Sequence, residues 1–218
     1  MNFIGILASI IFVFLIIGIS GLLEKKKILS KESSRKFVHI GVSNWWILAM
    51  LFFDNNLWAA VVPALFIVLN YISYKKNIFK SMERGAGKKD LGTVYFAVSL
   101  FILSIMTFTK SSSPFIGAMG ILIMGYGDGF AAIIGGKYGK HSFKIADSTK
   151  SLEGSAAMFV FSFLVSLIIM FVHADQNFLV NSFIIAAVAM FTELFSVFGL
   201  DNLTVPLITS YLYYLLSF

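Results

Sequence analysis

The sequence contains no cysteine, and only 13% of its 218 residues are charged. The absence of cysteine excludes disulfide bonds and thiolate metal sites, and it leaves the cellular compartment undetermined. The shortage of charge excludes a water-soluble globular protein, because 58% of the residues are hydrophobic and the rest cannot cover a surface exposed to water. The composition therefore indicates a polytopic membrane protein.

Eight apolar segments follow one another along the chain. Because a helix needs about 20 residues to cross a bilayer, we predict an all-α, polytopic transmembrane bundle of about seven or eight helices, forming one domain over residues 1–218. The second and last segments are short for a full crossing. The first lacks the basic region and cleavage site of a signal peptide, so we expect it to be retained. The segments lie near residues 2–23, 37–53, 57–74, 91–108, 114–134, 155–172, 179–200 and 203–217.

The cations are concentrated in alternate loops. The first, third and fifth loops carry them, whereas the intervening loops hold only Lys110. Because cationic loops tend to stay in the cytoplasm, we predict that these three loops are cytoplasmic and that the amino terminus lies outside. The clusters also suit polyphosphates or anionic lipid, but no nucleic-acid-binding motif accompanies them, so nucleic acid is not an expected partner. The loop cations are Lys25, Lys26, Lys27, Lys31, Arg35 and Lys36, then Lys75, Lys76, Lys80, Arg84, Lys88 and Lys89, then Lys137, Lys140, Lys144 and Lys150.

An aspartate, Asp128, interrupts the fifth apolar segment. An acid at the centre of a transmembrane helix costs about 3 kcal/mol, so it is expected to face a cation, a partner or a water-filled cavity. Asp128, Ala131, Gly135 and Gly139 recur at helical spacing and form one stripe of small residues beside the carboxylate. Such a stripe lets a ligand approach, but small residues also seat neighbouring helices, and the stripe alone favours that structural reading.

The continuation of this stretch, "GKYGKHSFKIADSTKSLEGS", favours a ligand. Glycines, lysines and hydroxyl side chains there offer backbone donors and cations next to carboxylates, a mixture that suits a metal-bound phosphate. The stretch is not a Walker A loop, because that pattern would place glycine at Ile134 and serine or threonine at His141. A different kind of nucleotide site is therefore expected.

These residues resemble the CTP-dependent lipid-alcohol kinases, which include dolichol kinase, phytol kinase and the yeast-type diacylglycerol kinase and are related to phosphatidate cytidylyltransferases. The resemblance rests on a nucleotide motif within residues 125–154, on "RKFVHIG" at 35–41 and on "GLDNLTVPL" at 199–207, which ends a late motif at 193–207. It does not cover the first helix. The matching motif positions are Asp128, Ala131, Gly135, Gly139, Lys150, Ser151, Glu153 and Gly154.

The resemblance implies an integral membrane kinase that transfers phosphate from CTP to a lipid alcohol with Mg²⁺, at the cytoplasmic face. In a prokaryotic cell this would be the plasma membrane. The expected catalytic residues are Asp128, Asp201, Glu193 and His39, and the expected metal ligands are Asp128, Glu153 and Asp201. The expected nucleotide-binding residues are Arg35, Lys36, Gly135, Lys137, Gly139, Lys140, Lys150, Ser151, Glu153, Gly154 and Asn202.

Several alternatives stay open at the level of the sequence. An isoprenoid alcohol such as a polyprenol, phytol or geranylgeraniol is the favoured acceptor, and diacylglycerol is the second. A phosphatidate cytidylyltransferase is less favoured, because the chain has "FGLDNLTVP" where that family carries Pro-Gly-His-Gly-Gly. A transporter would also hold acids in its helices but would not need a glycine and lysine loop at the cytoplasmic mouth. The oligomeric state is left open.

The absence of native cysteine allows a direct test of the topology. Single cysteines at Ser30 and Ser142 are expected to react with a membrane-impermeant thiol reagent only from the cytoplasmic side, because both positions lie in cationic loops. Cysteines at Asn55 and Ser112 are expected to react only from outside. Labelling of the Ser142 position in intact cells would contradict a shared cytoplasmic face for the motifs.

Overall fold

The computed structural model describes residues 1–76, 78, 91–145, 148–173 and 176–217. Ten α-helices and one short hairpin make up this part of the chain, so the predicted all-α polytopic bundle is confirmed. The helices are α1 (Asn2–Lys25), α2 (Lys31–Ser43), α3 (Trp45–Phe52), α4 (Asn56–Lys76), α5 (Gly92–Thr107), α6 (Pro114–Leu122), α7 (Gly129–Tyr138), α8 (Leu152–Val172), α9 (Phe178–Phe195) and α10 (Asp201–Ser217). The hairpin strands are β1 (Ser142–Ile145) and β2 (Ser148–Ser151).

Five helical stretches of the described chain are long and apolar enough to cross a bilayer. They are α1, α4, the continuous stretch Pro114–Tyr138, α8 and α9, and the shorter α5 is also apolar. The orientation and the number of helices that cross the membrane stay predictions. Lys80, Arg84, Lys88 and Lys89 of the third loop lie outside the described residues.

Two predicted segments end or divide where a polar residue or a turn interrupts the helix. The segment 37–53 is two helices, because the Asn44 side chain donates to the Ile40 carbonyl (2.8 Å) and accepts from Tyr126 (2.9 Å). The segment 179–200 ends at Phe195, since Phe198 and Gly199 adopt positive φ values of 55° and 78°.

A π-helical turn, Ile123–Asp128, joins α6 to α7. Its glycines allow close packing on both sides: a Cβ on Gly125 would lie 2.1 Å from Ser43 Oγ, and one on Gly127 would lie 2.7 Å from Met158 Sδ. The turn is therefore held between α2 and α8. Single π turns of this kind are frequent at functional sites, and this one ends at Asp128.

The hairpin connects α7 to α8 in a region where the sequence predicts only a loop. Its strands pair antiparallel, from Ser142 opposite Ser151 to Ile145 opposite Ser148. Strand β1 alternates polar and apolar residues over only four positions, and β2 contains no apolar residue, so the sequence gives little signal for them. Through Ser151, the hairpin leads directly into α8, where the Ser151 hydroxyl accepts a hydrogen bond from Gly154 N–H at 3.1 Å.

The late helix α10 packs closely on α6. A Cβ on Gly120 would lie 2.1 Å from the carbonyl oxygen of Pro206, so glycine is required for this approach. The indole of Trp46, which is fully buried, donates to the carbonyl of Pro114 at the start of α6 (2.9 Å). The close approach at Gly120 holds α10, and with it Asp201 at its first residue, against the stretch that carries Asp128.

Candidate functional site

A cavity of about 500 Å³ lies where the ends of several elements meet. We call it the polar cavity. Its walls come from α2, the π-helical turn, α7, the hairpin, the start of α8, the end of α9 and the start of α10. The lining residues are Glu32, Lys36, Asp128, Ala131, Ala132, Gly135, Gly136, Ser142, Thr149, Lys150, Ser151, Gly154, Ser155, Glu193, Ser196, Phe198, Gly199 and Asp201.

Three carboxylates converge in the polar cavity. Asp128, Glu193 and Asp201 each offer an oxygen that lies within 4.8 Å of the other two. Asp128 and Glu193 are each only 5% exposed. They come from the π-helical turn, the end of α9 and the start of α10. Three separate elements of the fold therefore bring like charges together.

Two lysines accompany these acids. The ammonium group of Lys36, a residue only 3% exposed, pairs with Asp128, and that of Lys150 pairs with Glu193. The Nε2 atom of His39 lies 3.6 Å from Asp128 Oδ2. Each pair joins elements far apart in the chain, so the carboxylate cluster also connects α2 to the π-helical turn and the hairpin to α9.

Asp201 is held by its neighbour. Asn202 donates to the Asp201 carboxylate from both its backbone N–H and its side-chain amide, each at 3.0 Å. The same amide also lies 3.2 Å from the carbonyl of Gly199, in the turn before α10. Asn202 therefore closes a local turn and orients one of the three acids.

The charge of the polar cavity favours a divalent cation. Its described lining has four carboxylates but only two ammonium groups, and because Glu32 pairs with Arg35, one negative charge is left over among the three clustered acids. A polyphosphate would be repelled by such a lining unless cations accompanied it. Clustered carboxylate oxygens beside a phosphate are the ligands that Mg²⁺ prefers, so the residues present fit this ion.

Most of the predicted site residues line the polar cavity, but some do not. Lys137 and Lys140 are exposed at the end of α7, and Lys137 lies over the Tyr138 ring. Glu153, an expected metal ligand, instead pairs with His141 at 2.8 Å and lies outside the described lining. Glu193, expected as a catalytic group, takes its place in the carboxylate cluster. The predicted residues in the lining are Lys36, Asp128, Gly135, Lys150, Ser151, Gly154, Glu193 and Asp201.

The glycines of the motif bring α7 close to the start of α8. A Cβ on Gly135 would lie 2.9 Å from Ser151 Oγ, and one on Gly139 would lie 2.3 Å from the Gly135 carbonyl. A Cβ on Gly154 would lie 3.1 Å from the carbonyl of Ala131. The helix-packing reading of the stripe therefore accounts for these positions, although Ala131 and Gly135 also line the cavity.

Arg35, His39 and Asn202 line a second, narrower cavity that adjoins the cluster. Arg35 also pairs with Glu32 at 2.5 Å. The sequence did not single out Glu32, although its spacing of four residues before Lys36 places both on one helix face. Nor did it identify Ser142 or the narrow cavity, because each depends on the hairpin or on contacts between distant helices.

The chain is similar to known lipid kinases over most of its length. It is 32% identical to a phytol kinase of Synechocystis, over 85% of this chain and 80% of that protein. The chain belongs to the lipid-alcohol kinase family. A probable chloroplastic phytol kinase of Triticum aestivum is 30% identical over 89% of this chain and 70% of its own length, and dolichol kinase of Saccharomyces cerevisiae is 29% identical over 72% and 31%. No protein-family model and no solved structure matches the chain.

In this lipid-alcohol kinase, the pair between Lys150 and Glu193 allows a stability test. Lys150→Met is expected to lower the free energy of unfolding by about 3 kcal/mol, because Glu193 would be left buried and unpaired beside two other acids. The double variant Lys150→Met with Glu193→Gln is expected to recover most of this loss. Denaturant unfolding in detergent, followed by circular dichroism, measures both.

Lys137→Met is the matched control, because Lys137 is exposed at the end of α7. Its free energy of unfolding is expected to change by less than about 0.5 kcal/mol. A double variant that is no more stable than Lys150→Met alone would contradict the coupling between Lys150 and Glu193.

Proposed function

We propose that this kinase transfers the γ-phosphate of CTP to a long isoprenoid alcohol, giving a lipid monophosphate and CDP. The whole chain would act as one integral membrane kinase domain, with its site at the cytoplasmic face. The observation that carries the proposal is the cluster of Asp128, Glu193 and Asp201 with Lys36 and Lys150 in one polar cavity. Cations and carboxylates of this kind carry most of the catalysis in phosphoryl transfer.

Asp128, Glu193 and Asp201 would hold Mg²⁺ together with phosphate oxygens of the donor. The ion supplies positive charge that offsets the charge of the triphosphate during transfer. If Asp128 and Glu193 held the ion, their partners Lys36 and Lys150 would be able to bind phosphate oxygens of the donor. The two ion pairs of the structure thus keep the lysines in place for the donor.

The transfer itself needs one proton acceptor. The alcohol oxygen forms a bond to the γ-phosphorus while the bond from that phosphorus to the β–γ bridging oxygen breaks, and CDP leaves with the electron pair. The hydroxyl proton passes to His39 Nε2, which is buried and has no hydrogen-bond partner among the described residues. Asp128 is less suited to this role, because its carboxylate would hold the ion together with those of Glu193 and Asp201.

The motif, the cavity volume and the loop charges support CTP as the donor and the cytoplasmic face as the position of the site. The motif of residues 125–154 resembles that of CTP-dependent kinases, and a cavity of about 500 Å³ falls in the size range of ligand sites. Lys36 and Lys150, which line the cavity, belong to two of the cationic loops predicted to be cytoplasmic. Nucleoside triphosphates are available on that side.

The acceptor is inferred from the relatives. Those reported above are named as phytol kinases and a dolichol kinase, which points to isoprenoid alcohols for this chain as well. Diacylglycerol is the competing acceptor, and it differs in carrying two hydrocarbon chains on one headgroup.

A radiochemical assay tests the proposal. Purified protein with Mg²⁺ and γ-labelled CTP is expected to transfer label to phytol, geranylgeraniol or a polyprenol, with CDP formed in equal amount. Unlabelled CTP is expected to compete better than ATP or GTP. Asp128→Asn is expected to lower the rate by at least about 100-fold, because it removes a charge from the cluster with little change in volume.

Asp54→Asn makes the same chemical change at an exposed position and is expected to keep the wild-type rate. Both variants should elute as the wild type does in size-exclusion chromatography. Near-wild-type activity of Asp128→Asn at saturating Mg²⁺ would exclude the proposed role of the cluster, and equal competition by ATP would exclude a preference for CTP.

A further inference from the structure

A narrow apolar cavity of about 60 Å³ lies among α1, α2, α4 and α5. We call it the apolar cavity. Most of its walls are hydrocarbon, from residues that include Val38, Val62, Phe66, Phe96 and Leu100. Pro63 on α4 also lines it, inside the helix, where it removes one backbone hydrogen bond. Its walls suit a hydrocarbon and offer little to a nucleotide.

Polar groups gather at one end of the apolar cavity. Arg35, His39 and Asn202 line it there, together with Asn70, whose side chain donates to the Thr93 carbonyl at 3.0 Å. Asn202 also binds Asp201, and His39 Nε2 lies 3.6 Å from Asp128. The polar end of the apolar cavity therefore adjoins the carboxylate cluster of the polar cavity.

His39 stands at the junction of the two cavities. Its ring packs against Phe96, with 4.5 Å between the ring centroids. This contact holds the imidazole in place, while its Nε2 atom is buried without a hydrogen-bond partner in the described part of the chain. Buried polar atoms in proteins almost always have a hydrogen-bond partner, and the hydroxyl group of a bound alcohol would be a suitable partner for this nitrogen.

We propose that the apolar cavity binds the hydrocarbon next to the hydroxyl of the acceptor alcohol, and that this hydroxyl bonds to His39 Nε2. The inference rests on the proposed kinase function and adds the position of the acceptor. A single slender chain fits a cavity of about 60 Å³, whereas the paired chains of diacylglycerol do not enter it together. The remainder of a long chain extends into the bilayer.

The length of the apolar cavity limits how much of the alcohol's hydrocarbon chain it can hold. Thr93 lies at the polar end and Leu100 lies seven residues further along α5, which is a rise of about 10 Å. Phe96, whose ring packs against His39, lies four residues before Leu100, a rise of about 6 Å, so a five-carbon prenyl alcohol bound at His39 ends near Leu100, whereas a 20-carbon alcohol must pass it. A larger side chain at Leu100 is therefore expected to discriminate by chain length.

The test compares geranylgeraniol with a five-carbon prenyl alcohol. In Leu100→Phe, the ratio of kcat/KM for the long alcohol to that for the short one is expected to fall about tenfold, because the ring blocks the path of the longer chain. Leu103→Phe makes the same change one turn further along α5, at a buried residue outside the cavity lining, and should leave the ratio unchanged. An unchanged ratio in an active Leu100→Phe enzyme would overturn the proposal.

A second measurement uses the unaltered protein and does not depend on a variant folding. A prenyl alcohol with a photoreactive diazirine close to its hydroxyl is expected to label α2 or α5 at residues that line the apolar cavity, and excess phytol should prevent the labelling. Labelling confined to exposed residues such as Leu164 or Ile168 of α8 would overturn the proposal.

Different results would contradict the kinase function and the position of the acceptor alcohol. A wild-type protein that transfers phosphate to no alcohol, long or short, would contradict the proposed function. A wild-type protein that is active, but whose photolabel avoids the apolar cavity, would leave the kinase function standing and contradict only the position of the acceptor.

Discussion

Three carboxylates held within one membrane protein set the main constraint on this structure. Asp128, Glu193 and Asp201 would repel one another and are costly to bury, so the fold must supply opposite charge at the same place. Lys36 and Lys150 do so, from α2 and from the hairpin. Because each pair joins distant parts of the chain, the requirement to neutralise the acids also determines how the ends of the helices are arranged.

The sequence predicted the membrane class, the helical bundle and eight of the eighteen residues that line the polar cavity, because each depends on local signals. An acid in an apolar segment and small residues at helical spacing can be recognised without knowing what packs against them. The division at Asn44 and the end of α9 at Phe195 were missed, since both depend on a side-chain hydrogen bond or a turn that apolar content does not reveal. The orientation in the membrane stays a prediction.

The sequence motif predicts Glu153 as a metal ligand, but Glu193 lies in the carboxylate cluster instead. A motif therefore does not by itself identify which acids meet in the fold. Glu153 lies within the nucleotide motif, close in sequence to Lys150, but its side chain pairs with His141. Glu193 is 65 residues from Asp128 in the chain, and only the packing of α9 brings their oxygens within 4.8 Å. Proximity along a motif was therefore a weaker guide to shared chemistry than burial of an acid in an apolar helix.

The π-helical turn that ends at Asp128 sets the phase of α7 relative to α6. A π turn accommodates one residue more than an α-helical turn, so regular α-helical winding of the same residues, 123–128, would rotate α7 by about 100° relative to α6. Ala131 and Gly135 would then turn away from the cavity, although every side chain in α7 would be unaltered. The wide turn thus determines through helical phase which residues of α7 face the polar cavity, whereas the loops between helices have no such phase to maintain.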